Sequence, residues 1–187
     1  MTNYLIIDLE ATCTDKDEFP RDEMEIIEIG AVMVDGKTFQ PLGEFTTFIK
    51  PVRHPILTDF CRGLTSIEQA DVDNADAYPT ALGKFKDWIK IHPEAVFCSW
   101  GAYDKKQFHN DCDYHKIRYP FGYKHINLKV EFSKKQGFSK QFGMARALQR
   151  CNLSLDGTHH RGIDDARNMV KVMPYIFGDL KCPAQNK

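Results

Sequence analysis

The segment Tyr4-Leu5-Ile6-Ile7-Asp8-Leu9-Glu10 constrains this chain most, because it is a nearly continuous apolar run that ends in two carboxylates. Such a run reads as a central strand covered on both faces of a sheet. Side chains two apart on a strand leave the same face, so Asp8 and Glu10 stand side by side at its C-terminal end. Two like charges at a buried edge are costly unless a cation lies between them. A solvated strand end is the plainer alternative, and an isolated D-x-E does not decide between the two.

The rest of the chain supplies the frame. After a charged loop, Thr14 to Glu23, the segments Glu25–Asp35 and Leu42–Lys50 read as two further strands of a meander, with Asp35-Gly36 at the turn. Residues 51–80 read as loop-rich, with one short helix over Ser66–Asp71 that Ser66 would cap. Helices are expected over Pro79–Ile91, Tyr103–Lys116, Asn127–Lys135, Ser139–Cys151 and Ile163–Phe177, and a buried strand over Ala95–Trp100. The sum is an α/β fold with a mixed sheet flanked by helices, and 187 residues with 42% hydrophobic content suffice for one domain, taken as residues 1–187.

Further acids fall at telling places. Asp104 lies in the first turn of the helix after the Ala95–Trp100 strand, where the helix dipole alone favours an acid. Two strands of one sheet would then deliver carboxylates at their C-terminal ends, where α/β folds place their sites. The segment His159-His160-Arg161-Gly162-Ile163-Asp164-Asp165 adds two histidines and two acids. If Ile163, Ala166, Met169, Val170 and Met173 form the buried stripe of the last helix, Asp164 faces solvent, and Asp165 lies at the edge of the buried face. Asp165 is therefore the better ligand.

The order D-x-E, D, H-x-x-x-x-D resembles the DEDDh group of 3′-to-5′ exonucleases, with Asp8, Glu10, Asp104, His160 and Asp165 in the five positions. The stretches DLEATC, LTDFCRGLTSIEQADVDNA, SWGAYD and HRGIDDARN extend the resemblance to the Eri-type exoribonucleases over almost the whole chain. It implies an RNase H-like sheet and release of nucleoside 5′-monophosphates, with two Mg²⁺ ions, replaceable by Mn²⁺, on the four acids. Asp8 would bridge the ions, and neutral His160 would take the proton from the attacking water. The resemblance also implies that Ala11, Thr12, Leu64 and Thr65 line the pocket of the terminal nucleotide. Leu64 reads equally as core, and Tyr103 and Trp100 are aromatics that can either stack a base or simply pack. Longer animal members carry an N-terminal RNA-binding module; with the first strand so near residue 1, targeting by such a module is not implied.

Charge fits a nucleic-acid partner, and the resemblance to exoribonucleases implies RNA before DNA. Residues 1–100 carry 9 Lys+Arg against 18 Asp+Glu, whereas residues 101–187 carry 16 against 8. Segregation of this kind suits a protein that gathers cations at one locus and a polyanion beside it. Arg161, Arg167 and the pairs Lys105-Lys106 and Lys134-Lys135 are candidate phosphate contacts, with solvated surface charge as their default. No apolar stretch approaches the ~20 residues of a membrane span, no secretory leader is visible, and six scattered cysteines form no C-x-x-C pair. A cytoplasmic protein with reduced thiols is expected. A DNA-preferring relative and a non-catalytic nucleotide- or RNA-binding protein on the same fold are the rival readings.

Overall fold

The computed structural model describes residues 2–183. Its strands are β1 (Tyr4–Ala11), β2 (Ile26–Val34), β3 (Pro41–Lys50), β4 (Asp76–Ala77), β5 (Val96–Ser99) and β6 (His125–Asn127). They form one sheet in the order β4-β3-β2-β1-β5-β6. The β1–β2 and β2–β3 pairs are antiparallel, whereas β5 joins β1 in parallel and β6 joins β5 in parallel. The expected meander is thus present, with β1 and β2 at the centre, where a continuous apolar run belongs. All nine residues of β2 are buried.

Among the described residues, seven α-helices cover the sheet: α1 (Asp59–Thr65), α2 (Gln69–Asp73), α3 (Tyr78–Ile89), α4 (Tyr103–Tyr114), α5 (Leu128–Gln136), α6 (Met144–Arg150) and α7 (Gly162–Ile176). Period-two alternation divides the core. Leu5, Ile7 and Leu9 of β1 pack with Ile29, Ala31 and Met33 of β2, Phe97 of β5, and Leu82, Phe85 and Phe108 of α3 and α4. Ile6 packs on the other side with Val32, Val34 and Cys98 against α5, α6 and α7, through Leu128, Phe132, Leu148, Met169 and Met173. Asp8 and Glu10, in phase with Ile6, therefore face α7.

Local chemistry corrects several expected bounds. Ser66 does not open a helix. It closes α1 in the left-handed region, at φ 57°, and α2 begins at Gln69 with Glu68 and Asp71 in a reciprocal capping box. Thr58 is the N-cap of α1, its Oγ1 accepting the Cys61 N–H at 3.0 Å. The expected Ser139–Cys151 helix shortens to α6, because Phe142 turns its carbonyl to Trp100 Nε1 at 2.9 Å and Gly143 takes the N-cap. No described helix is long and apolar enough to cross a membrane.

Candidate active site

The N-terminus of α7 lies directly on the sheet. A Cβ built on Gly30 of β2 would fall 2.0 Å from the Gly162 carbonyl carbon, and one built on Gly162 would fall 2.9 Å from the Asp8 carbonyl oxygen. Only two glycines permit this approach. It carries Asp165, in the first turn of α7, over the end of β1. Oxygens of Asp8, Glu10 and Asp165 lie within 4.8 Å of one another. Glu10 and Asp165 are buried, and Asp8 is partly so.

Asp104 reaches the group from the other strand. The parallel ladder between β1 and β5 stops at the Ile6–Cys98 pair, which leaves the Leu9 N–H without a strand partner. Asp104, buried in the first turn of α4, accepts that N–H on Oδ1 at 3.1 Å. The side chain thus completes the sheet edge while standing beside the other acids. Asp104 lies outside the closest trio, yet its charge is felt there.

Burial raises the Asp8 carboxyl well above the usual range, and Asp104, Glu10, Asp165 and Glu28 push it further. Glu10 is raised to about 8, first by burial and then by Asp165, Glu28 and Asp104. Burial lifts Asp104 to about 6, against the opposing hydrogen bonds from its own backbone, Leu9 and Ser99. Carboxylates that resist ionising together are the electrostatic mark of a cation site, and an all-oxygen donor set suits a hard divalent ion. The residues present therefore fit divalent metal.

The histidines divide their contacts. His159 Nδ1 lies 2.9 Å from Asp165 Oδ2 and 3.1 Å from Oδ1. His160 reaches Asp165 through its backbone N–H, 3.0 Å from Oδ2, in the left-handed region at φ 64°, and its ring stacks on that of His159 with centroids 4.0 Å apart. Asp164 points elsewhere: it accepts the Thr158 N–H at 2.9 Å and pairs with Arg167 at 3.1 Å.

The residues expected to line the substrate pocket differ in exposure. Thr65 is fully buried, its hydroxyl donating to the Cys61 carbonyl and accepting the Ile67 N–H. Thr12 is buried with Oγ1 accepting the Glu25 N–H at 2.9 Å, and Ala11 is buried with its carbonyl facing the Cys61 thiol. The Thr12 and Thr65 hydroxyls and the Ala11 carbonyl are thus engaged within the fold. Leu64, 37% exposed on α1, and Tyr103, 46% exposed at the start of α4, do reach the surface. Trp100 packs on Phe132 and is bonded to Phe142, so it belongs to the core layer. Arg161 and Arg167 are also committed, Arg161 to Glu28 and Arg167 to Glu44.

Glu28 was missed from the sequence. It is 0% exposed and faces Glu10 across the β1–β2 ladder. Its signal was available as the lone charge inside the otherwise apolar run IIEIGAVMV.

A mixed sheet with acids gathered at the ends of two neighbouring parallel strands, completed by an acid from a helix laid across them, defines an α/β protein of RNase H-like fold. A family model described as Exonuclease (RNase_T) matches residues 5–173, and the chain belongs to that family. It is 31% identical to human 3′-5′ exoribonuclease 1 over 182 residues, covering 93% of this chain and 52% of that protein. It is 32% identical to the 3′-5′ exonuclease Snipper of Drosophila melanogaster over 200 residues, covering 95% and 70%. The solved nuclease domain of 3′hExo, a DEDDh family member bound to rAMP, superposes with a TM-score of 0.83 at 28% identity, covering 98% of this chain and 97% of that one. A 3′-exonuclease solved in recognition of the histone mRNA stem-loop gives 0.88 at 28%, covering 95% and 64%. The chain spans about half the length of the human relative.

Proposed function

We propose that residues 1–187 act as one cytoplasmic exonuclease domain that removes nucleotides from the 3′ end of single-stranded RNA as nucleoside 5′-monophosphates. The observation that carries this reading is the approach of Asp8, Glu10 and Asp165 oxygens to within 4.8 Å, with Asp104 buried beside them. The names of the relatives, exoribonuclease among them, support the substrate and direction. Asp8, Glu10, Asp104 and Asp165 would hold two Mg²⁺ or Mn²⁺ ions. When bound, such ions supply an ionised water at neutral pH and counter-charge for the leaving oxygen.

The protein's own groups have distinct tasks. Neutral His160 accepts the proton of the attacking water on an imidazole nitrogen, since burial, and next to it His159, holds its pKa below the ordinary value against the pull of Asp165. Leu64 and Tyr103 offer apolar surface to the terminal base and sugar. A paired end must first be unstacked, at a cost of a few kcal/mol, so unpaired ends react faster.

Digestion of matched 5′-labelled RNA and DNA strands, with and without a 3′ overhang, tests the reading. Stepwise shortening of the single-stranded RNA in Mg²⁺ is expected. Faster shortening of DNA would make this a DNA-preferring member, and binding without cleavage would leave a non-catalytic module.

A further inference from the structure

We infer that Glu28 and Arg161 form a buried clamp that fixes the His160 turn and the start of α7 over the carboxylate centre, making Glu28 a positioning residue and not a metal ligand. Its effect on rate rests on the nuclease reading above, whereas its effect on geometry does not.

Glu28 is a fifth carboxylate on the face that carries Asp8 and Glu10. Its charge adds to the repulsion among them, so a role as mere filler would work against the site. Its oxygens are turned to other partners. Oε2 accepts Arg161 Nε at 3.1 Å and the Gly162 N–H at 3.0 Å, and Oε1 accepts Arg161 Nη2 at 3.5 Å and Thr46 Oγ1 at 3.4 Å. One carboxylate thereby holds two consecutive residues, the N-cap and first residue of α7.

Those two residues govern the rest. Arg161 follows His160 directly, and its carbonyl accepts the Asp165 N–H at 2.9 Å. His160 donates its own N–H to Asp165 Oδ2 at 3.0 Å. His160 is one of six non-glycine residues with positive φ among those described, and its turn is held at both ends. Asp165 holds one end, and Glu28 through Arg161 holds the other. The Gly30–Gly162 contact keeps α7 on the sheet without the ion pair, so loosening the clamp frees the turn more than the fold.

Glu28→Gln removes the charge and leaves Arg161, whose side chain is 26% exposed, free to turn toward water. We expect kcat to fall about 10–100-fold, as for residues that orient catalytic groups, with KM within roughly threefold. The histidine ring ¹H–¹³C cross-peak of His160 should broaden or move, and the Gly162 amide should shift. Glu44→Gln, which breaks the outer ion pair between β3 and Arg167, should change none of these. Arg161→Gln should match Glu28→Gln, the double variant should be no worse than either, and Arg161→Lys should recover part of the loss. Wild-type kcat together with unmoved His160 resonances in Glu28→Gln would overturn the clamp. If Glu28→Gln does not fold, the same result in Arg161→Gln and Arg161→Lys overturns it. Should the wild-type protein leave RNA intact, the nuclease reading falls while the His160 resonances still decide the clamp.

Discussion

His159 Nδ1 and the His160 backbone N–H converge on the same oxygen of Asp165, at 2.9 and 3.0 Å. A cation held by Asp165 would compete with His159 for that oxygen, whereas the His160 ring is bound to neither carboxylate oxygen and is left for the proposed base role. His160→Ala should lose ~10²–10⁴ in kcat and keep Mg²⁺ and RNA binding. His159→Ala should stay within about threefold and reach half-saturation at the same or lower Mg²⁺. Rates and Mg²⁺ titrations of the two variants check this, and a loss confined to His159→Ala would transfer the base role to that residue.

The pH profile follows from the direction of the His160 shift. The proposed base works when neutral, and burial lowers its pKa, so the rate should rise with pH along a limb centred below the ordinary histidine value of ~6.5 and level off by neutrality. His160→Ala should flatten that limb. A limb centred above about pH 7.5 in the parent enzyme would contradict the assignment.

Stability without metal should run the opposite way from an ordinary salt-bridged protein. Glu10 is raised to about 8, and Asp104 and Asp111 to about 6, so at these three groups the folded state binds more protons than the unfolded one above pH 4. Their stabilising contribution is full below the unfolded values and is lost as pH rises through the folded ones. In EDTA, Tm should therefore fall between about pH 4 and 8. Mg²⁺ should restore the part due to Glu10 and Asp104, but not that due to Asp111, which bonds Gln107 and the Ile26 N–H away from the site. Asp8→Asn in EDTA at pH 8 should melt no lower than the parent. Calorimetry across the pH range reads both effects.

Much of this was legible in the residues because it depends on local periodicity. The apolar run before Asp8 and Glu10 marked a central strand, and the helical phase of Ile163, Ala166 and Met169 separated Asp165 from Asp164. What stayed hidden depends on contacts far apart in sequence. Helix α1 is seven residues long, too short to show a period, and is fixed by Cys61 in the small core of Ile27, Leu57, Ile67 and Val72. Strand β6 has three residues and exists because β5 offers it an edge. Thr12 and Thr65 were expected at the pocket from the resemblance alone, and nothing local in the sequence showed that both hydroxyls satisfy backbone groups in turns. Glu28 is separated from Arg161 by 133 positions, so nothing local announces the pair.

Asp104 has two duties that substitution can separate. Asp104→Asn keeps an oxygen to accept the Leu9 N–H, so it should fold normally and lose at least ~100-fold in rate. Asp104→Ala leaves that buried N–H unpaired and should lose a further ~1–3 kcal/mol of stability. Denaturant titration beside the activity assay distinguishes the two, and equal stability of the variants would show that the hydrogen bond does not support the sheet edge.

The most direct measurement of the central claim is product analysis by mass spectrometry with a single-stranded RNA whose 3′-terminal nucleotide is isotopically labelled. With Mg²⁺, the first product should be that nucleotide as its 5′-monophosphate. EDTA, Asp165→Asn, a 3′-phosphate block or circularisation of the RNA should each suppress it, because all four act on the metal centre or on entry of a free 3′ end. Release that persists in EDTA or in Asp165→Asn, or rapid cutting of the circle, would contradict a metal-dependent 3′-to-5′ exonuclease built on these carboxylates.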